Sequence, residues 1–407
     1  KGWSPIGNTA ANPFNGTIFA GTSDTDTINI YNLSGICSTQ SAYGLFGFLG
    51  ANASVNGINM VDTQIFVGPD ATVAKGGSGT ITYEDGTASV GIGAIAGTCY
   101  ENTSVKNCSV KGLNSGLRSI SGSVDYYVPS FTIRTDYYTE NIGGIIGNIL
   151  SKSSSTQNPI YNCDFYGTLV GHGTAGTGGI VGLITGMKTI DNCDISGISS
   201  ANPMTYTGAG TDVGGIVGKI SGSATVIIQN VAQSSNESYK VIGDDTYMNG
   251  GFGGILGKSI STSPVTIQNI GTSTYSINVQ MNGRFYTTTS KTGVNSGFAG
   301  IIGYSSGTST TITNCYVTSK IKYGSVSGKN NAYIGGVLGR GVFVHNTTDV
   351  LSISNCNVLD GSYITHSDDY TTSNSSATLT QGGIVGAINV GSSNLLNLTN
   401  SSIINCT

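Results

Sequence analysis

Charge is what this sequence has least of. Only 9% of the 407 residues are Asp, Glu, Lys or Arg, and four are Glu, against about 25% charged residues in an average globular chain. Helices draw on Ala, Leu, Glu, Lys, Gln and Arg, so this shortage beside 62 Gly excludes an extensively helical fold. The 17 Lys plus Arg are balanced by 21 Asp plus Glu for a net charge of −4, which offers no basic face to nucleic acid or anionic lipid. No run approaches the roughly 20 apolar residues that span a bilayer, so no membrane insertion is expected. No hydrophobic signal core follows Lys1, and the expectation is a mature, soluble chain. His172, His345 and His366 are isolated and show no metal-ligand spacing, so neither a metal nor another cofactor is expected.

Disorder is excluded as well, because 38% apolar residues leave ample surface to bury. What is abundant is Ser plus Thr, 100 residues, and Asn, 36 residues. Much of the Gly falls in a recurring block. Gly143-Gly144-Ile145-Ile146-Gly147 returns at 178–182, 214–218, 253–257, 335–339 and 382–386, with degenerate copies at 44–47, 93–97 and 299–303. The second position of the block lies at 44, 94, 144, 179, 215, 254, 300, 336 and 383, a mean spacing near 42. A second element follows most blocks: a short alternating run ending in Asn and often Cys, as in Thr189-Ile190-Asp191-Asn192-Cys193.

Runs of four to seven residues, β-branched, alternating and bounded by Gly, Ser and Asn, read as short strands. The same strands repeated in the same order imply stacked coils. The expected fold is all-β: a β-solenoid, a right-handed parallel β-helix of nine to ten coils. It forms one domain over 1–407, with 1–43 an atypical first coil and 44–407 the repeats. Asn at a coil corner tolerates left-handed backbone angles, and equivalent Asn side chains one rung apart can bond in a ladder. The expected ladder is Asn56, Asn107, Asn162, Asn192, Asn230, Asn269, Asn314, Asn355 and Asn400, with these side chains turned inward.

Ile145 and Ile146 are adjacent, and neighbouring strand residues point to opposite faces. Either the flanking glycines permit a bulge that tucks both in, or Ile146, Val181, Val217, Leu256, Ile302, Leu338 and Val385 form an outer apolar stripe. Among eight Cys, Cys163 with Cys193 and Cys315 with Cys356 occupy equivalent positions in successive coils and are disulfide candidates. Cys99 with Cys108 competes with Cys108 with Cys163. Cys37 and Cys406 remain as intersubunit disulfide candidates at opposite ends.

Gly2-Trp3-Ser4-Pro5-Ile6-Gly7, Pro13-Phe14-Asn15-Gly16-Thr17, Tyr31-Asn32-Leu33 and Gly44-Leu45-Phe46-Gly47, followed by the Gly-block and Ile-x-Asn-Cys elements, resemble the GLUG-repeat family of secreted surface proteins. The resemblance implies a β-helical, extracellular or cell-surface protein without a shared catalytic set. No His-Glu-x-x-His occurs, so the zinc peptidase activity of some relatives is not implied.

Catalytic patterns are weak. Gly303-Tyr304-Ser305-Ser306-Gly307 has nucleophile-elbow letters inside a repeat block, with no helix to follow. Asp24 with Asp26, Asp244 with Asp245, and Asp368 with Asp369 near His366 read as solvated loop acids. Among the sequons, Asn32, Asn107 and Asn400 fall at the corner and are expected bare; Asn15, Asn52, Asn102, Asn236, Asn346, Asn374 and Asn397 are the N-glycosylation candidates. The function expected is a non-enzymatic structural subunit of a secreted fibre or surface coat, its partner another copy of itself head to tail, with glycans as further partners. The alternatives are an adhesin stalk or carbohydrate-binding module using Tyr126, Tyr127, Tyr137 and Tyr138, and a polysaccharide-cleaving β-helix enzyme.

Overall fold

The computed structural model describes residues 3–23, 25–37, 41–67, 90–112, 132–135, 141–151, 158–170, 176–196, 204–207, 212–223, 225–234, 237–243, 250–283, 295–306, 309–323, 331–343, 349–366, 379–390 and 402–407. Among these residues there is no helix, and every strand pairing is parallel. The strands form four sheets in a β-helix-like stack. One sheet of nine strands runs in chain order from Phe46–Leu49 through Ala96–Cys99, Ile146–Ile149, Val181–Ile184, Val217–Gly222, Leu256–Ser261, Ile302–Ser306 and Leu338–Phe343 to Val385–Val390. A sheet of eight runs beside it from Gly91–Gly93 to Leu379–Gly382. Sheets of eighteen and five strands complete the walls.

Each strand pairs with its equivalent one repeat before and one repeat after, so side chains line up in columns. Ile146, for example, is in register with Ala96 on one side and Val181 on the other. The inward columns are aliphatic: Val55, Val105, Ile160, Ile190, Ile228, Ile267, Ile312 and Ile353 follow one another and are fully buried. They join the Gly-block residues in one continuous hydrophobic cluster.

The Gly block bends between its two strands, at Gly144 and Ile145 in the third copy. This bend is the tucked-in alternative, and it overturns the outer stripe. Ile146, Val181, Val217, Leu256, Ile302 and Leu338 are fully buried, as are their neighbours Ile145, Ile180, Ile216, Ile255, Ile301 and Val337, while Val385 is partly buried against the same core. A chain that turns between two adjacent residues no longer alternates faces there, so both side chains enter the core. The last glycine of the block serves another purpose: it lets the eight- and nine-stranded sheets approach backbone to backbone. A Cβ on Gly147 would lie 2.6 Å from Gly91 Cα.

Candidate functional site

The most regular feature lies at the corner where each Asn-Cys element turns. Asn107, Asn162, Asn192, Asn230, Asn269, Asn314, Asn355 and Asn405 all hold left-handed φ between 51° and 58°, an angle that Asn tolerates better than most residues. Their amides connect along the stack. Asn107 Nδ2 donates to Asn56 Oδ1 at 2.8 Å, Asn162 to Asn107 at 2.8 Å and Asn192 to Asn162 at 3.0 Å. The series resumes with Asn269 to Asn230, Asn314 to Asn269, Asn355 to Asn314 and Asn405 to Asn355 at 3.1–3.3 Å. Between the two runs Asn230 donates instead to Asp191 Oδ1 at 2.7 Å, and Gln229 Nε2 to Asp191 Oδ2 at 3.0 Å. The carboxylate, an acceptor with no donor of its own, receives both amide rows.

Three details differ from expectation. Most of these Asn side chains stand half-buried or exposed rather than inward, because the left-handed corner swings them to the rim while Cys193 and Ile190 fill the inside. Asn56 precedes the corner, which Gly57 occupies at φ 78°. Asn400 lies outside the described residues, and Asn405 makes the last bond. Replacing Asn314 with Ala should remove two ladder bonds and strain the corner, lowering stability by about 2–3 kcal/mol, whereas Asn314→Gly keeps the backbone and should cost roughly half as much. Urea unfolding of the two variants checks this.

None of the cysteines is placed in a disulfide, in contrast to the expected pairings Cys163–Cys193, Cys315–Cys356 and Cys99–Cys108. In-register parallel strands hold equivalent Cβ atoms one rung apart, about 4.8 Å, outside the roughly 3.5–4.5 Å of a disulfide. The six corner thiols have a different role: each reaches the carbonyl two residues earlier, from 3.1 Å at Cys108 to Lys106 O up to 3.4 Å at Cys163 to Tyr161 O. Burial pushes the Cys108, Cys163 and Cys315 thiols up, keeping them protonated. Cys99 sits in another column, between Leu49 and Ile149. Cys37 pairs with Val67 and Cys406 follows the Cys356 column, so the two do not share a line along the stack.

Sequence reasoning missed three sites of buried or half-buried charge. Asp164 and Asp194 are in register on adjacent rungs, each directly after an Asn-Cys pair. Burial, with the Asp194 charge alongside, pushes Asp164 up to about 6, offset in part by the Asp194 backbone and Lys111. Burial also raises Asp194, offset by the Ala232 N–H that bonds its Oδ1 at 2.8 Å. Because the folded carboxyl holds its proton to a higher pH than the unfolded one at 3.8, its contribution is fully present below about pH 4 and is lost as pH rises through about 6. Stability measured from pH 4 to 7 should therefore fall, by at most roughly 3 kcal/mol for this residue, and Asp164→Asn should flatten that decline. The repeated Asn-Cys-Asp spacing was the available signal.

The second is Lys188, 2% exposed, whose Nζ donates to Thr103 O at 2.6 Å. Burial brings it down to about 8, partly offset by Cys99. The third is Asp212, 1% exposed, which pairs with Lys219 at 3.4 Å and Lys258 at 3.8 Å and accepts from Gly251 N. Tyr304 lies between Lys258 and Arg340, its ring centre 5.1 and 5.4 Å from them.

Among the other expected positions, Asp26 accepts from Thr22 and Ser23 N–H and so closes its own loop. Asn15 donates to Pro13 O, and Asn102 Nδ2 to Asn52 Oδ1 at 2.7 Å. Asn32 stands exposed on a left-handed turn. His172, His345, Asp24, Asp244, Asp245, Asp368, Asp369, Asn236, Asn346, Asn374, Asn397 and the tyrosines at 126, 127, 137 and 138 lie outside the described residues. Among the described residues no group of three or more His, Cys, Asp or Glu is arranged to hold a metal ion.

The first and last described coils expose apolar residues: Ile6, Phe19, Ile28 and Tyr31 in the first, Ile388, Ile403 and Ile404 in the last. Fold and corners together define the class, an all-β stack of parallel coils joined by side-chain ladders. No family model, curated protein or solved structure matches the chain.

Proposed function

We propose that this chain is a non-enzymatic structural subunit of an extracellular fibre or cell-surface coat. In this reading it is a right-handed parallel β-helix of nine to ten coils, glycosylated, related to the GLUG-repeat surface proteins, and assembling by stacking the first coil of one copy on the last coil of another. The observation that carries it is that the parallel strand edges of the first and last described coils bear exposed Phe19, Ile28 and Tyr31 on one and Ile388, Ile403 and Ile404 on the other. Such edges template further pairing unless they are covered or charged, and few charges anywhere on this chain oppose association.

Electron microscopy of the purified full chain over a range of concentrations tests the proposal. Fibres or end-joined rods are expected. Single particles at the highest concentration would overturn it, and turnover of a polysaccharide would overturn its non-enzymatic part. A carbohydrate-binding module is the second reading, favoured by the Lys258, Tyr304 and Arg340 column, where a ring and two cations share one outer line.

A further inference from the structure

One outward column departs from all its interior members at both ends. From Asn56 it passes through Lys106, Tyr161, Asp191, Gln229, Gln268, Thr313 and Ser354, each in register with the next, and every one carries a polar group. The rung before Asn56 is Phe19, 55% exposed, and the rung after Ser354 is Ile404, 52% exposed. A column whose side chains carry a polar atom from Asn56 to Ser354, Tyr161 through its hydroxyl, and are pure hydrocarbon only on the first and last described rungs is unlike a solvated face. It has the chemistry of a surface covered on assembly.

The inward columns end compatibly. Ile18 opens the line that Ile403 closes. Ile6 bridges to Phe46, in the line that Val385 closes, and Phe14 bridges to Leu49, in the line that Ile388 closes. Ile28 pairs with Ile58, in the corner line that passes through Cys315 and Cys356 and ends at Cys406.

We infer that the surface covering these two faces is a second copy of this chain, seated in a single register: Phe19 over Ile404, Ile18 over Ile403, and Ile28 over Cys406. This rests on the stacking proposed above and adds to it which side chains meet. In that register each junction continues the parallel ladder at the usual rung distance of about 4.8 Å. It also separates Cys37 from Cys406, because their lines differ, so the junction is held by apolar contact and strand pairing rather than by a disulfide.

The test is proximity across the junction. The double variant Phe19→Cys with Ile404→Cys replaces two side chains that are more than half exposed, so folding is not at stake. Under assembling conditions a short bifunctional thiol reagent should join residue 19 of one copy to residue 404 of the next, seen as a ladder of covalent multimers and a 19–404 cross-linked peptide. The yield should be at least tenfold above that of Ile404→Cys alone, where Cys37 is the thiol offered by the wrong line. Assemblies that form without the 19–404 link, or that link 37 to 404 equally well, would overturn the register and leave the fibre reading intact. Failure of the unmodified chain to assemble at any concentration would overturn both.

Discussion

Gly147→Ala is expected to lower stability by more than about 4 kcal/mol, at the extreme of single substitutions. The glycine ends a block that recurs nine times, and that last position is Gly in every copy, at 47, 97, 147, 182, 218, 257, 303, 339 and 386, whereas Ala stands earlier in two of them, at 94 and 299. The reason is space. A Cβ at 147 would meet main-chain atoms of Gly91 and Ile92 at less than 3.0 Å. Those atoms belong to a paired strand and cannot rotate aside as a side chain would. To admit one methyl group, the eight- and nine-stranded sheets must separate locally, which loosens Ile92, Ile142 and Ile146 together and breaks rung bonds on both sides. Gly383→Ala is the control, since a Cβ there meets nothing within 4 Å, and it should change stability by less than about 0.5 kcal/mol. Comparable urea midpoints for the two variants would show that the close approach of the sheets is not what the glycine secures.

The second large effect concerns assembly. Ile404→Lys should leave the fold unchanged, since the side chain is already 52% exposed, but should raise the concentration needed for fibres by at least about tenfold. Half-covering an Ile side chain accounts for roughly 1–1.5 kcal/mol, and holding an ammonium group against Phe19 of the next copy adds a desolvation cost; each 1.4 kcal/mol is about a factor of ten. Lysine on an open strand edge is also a common natural block to edge pairing. Sedimentation at graded concentrations, with circular dichroism to confirm the fold, decides it. An unchanged assembly threshold would remove the last coil from the junction.

Much of the architecture was legible in the residues because each repeat carries its own local instruction. Asn192 before Cys193 announces a corner, and Ile190 at the preceding inward position announces a strand, without knowledge of any neighbouring coil. What escaped reading depends on distances between coils. The bend at Gly144 and Ile145 cannot be told from a straight strand by alternation alone, and it decides whether Ile146 faces the core or solvent. Cys163 and Cys193 were correctly placed on one line, yet equal column position differs from bonding distance when parallel backbones fix their Cβ atoms one rung apart. Asp164 and Asp194 lie 30 residues apart in the chain, and only the stacking of coils brings them into register. Lys188 stands in a strand position that the following repeats fill with Val226, Val265, Thr310 and Leu351, and only the fold shows that it points inward to the Thr103 carbonyl.

The amide row at the corners has one more consequence. Among the described residues each Asn–Asn bond in it runs the same way, from the Nδ2 of a later residue to the Oδ1 of an earlier one, so the stack carries a chemical arrow parallel to its axis. Two such bodies meeting with arrows opposed would bring like groups together and set the strand ladders antiparallel. With arrows aligned the strand ladder stays parallel across the boundary, and the amide row pauses there at Ala20, the corner residue that follows Phe19. A filament of this subunit would therefore be vectorial, with two unlike tips that add and lose subunits at different rates.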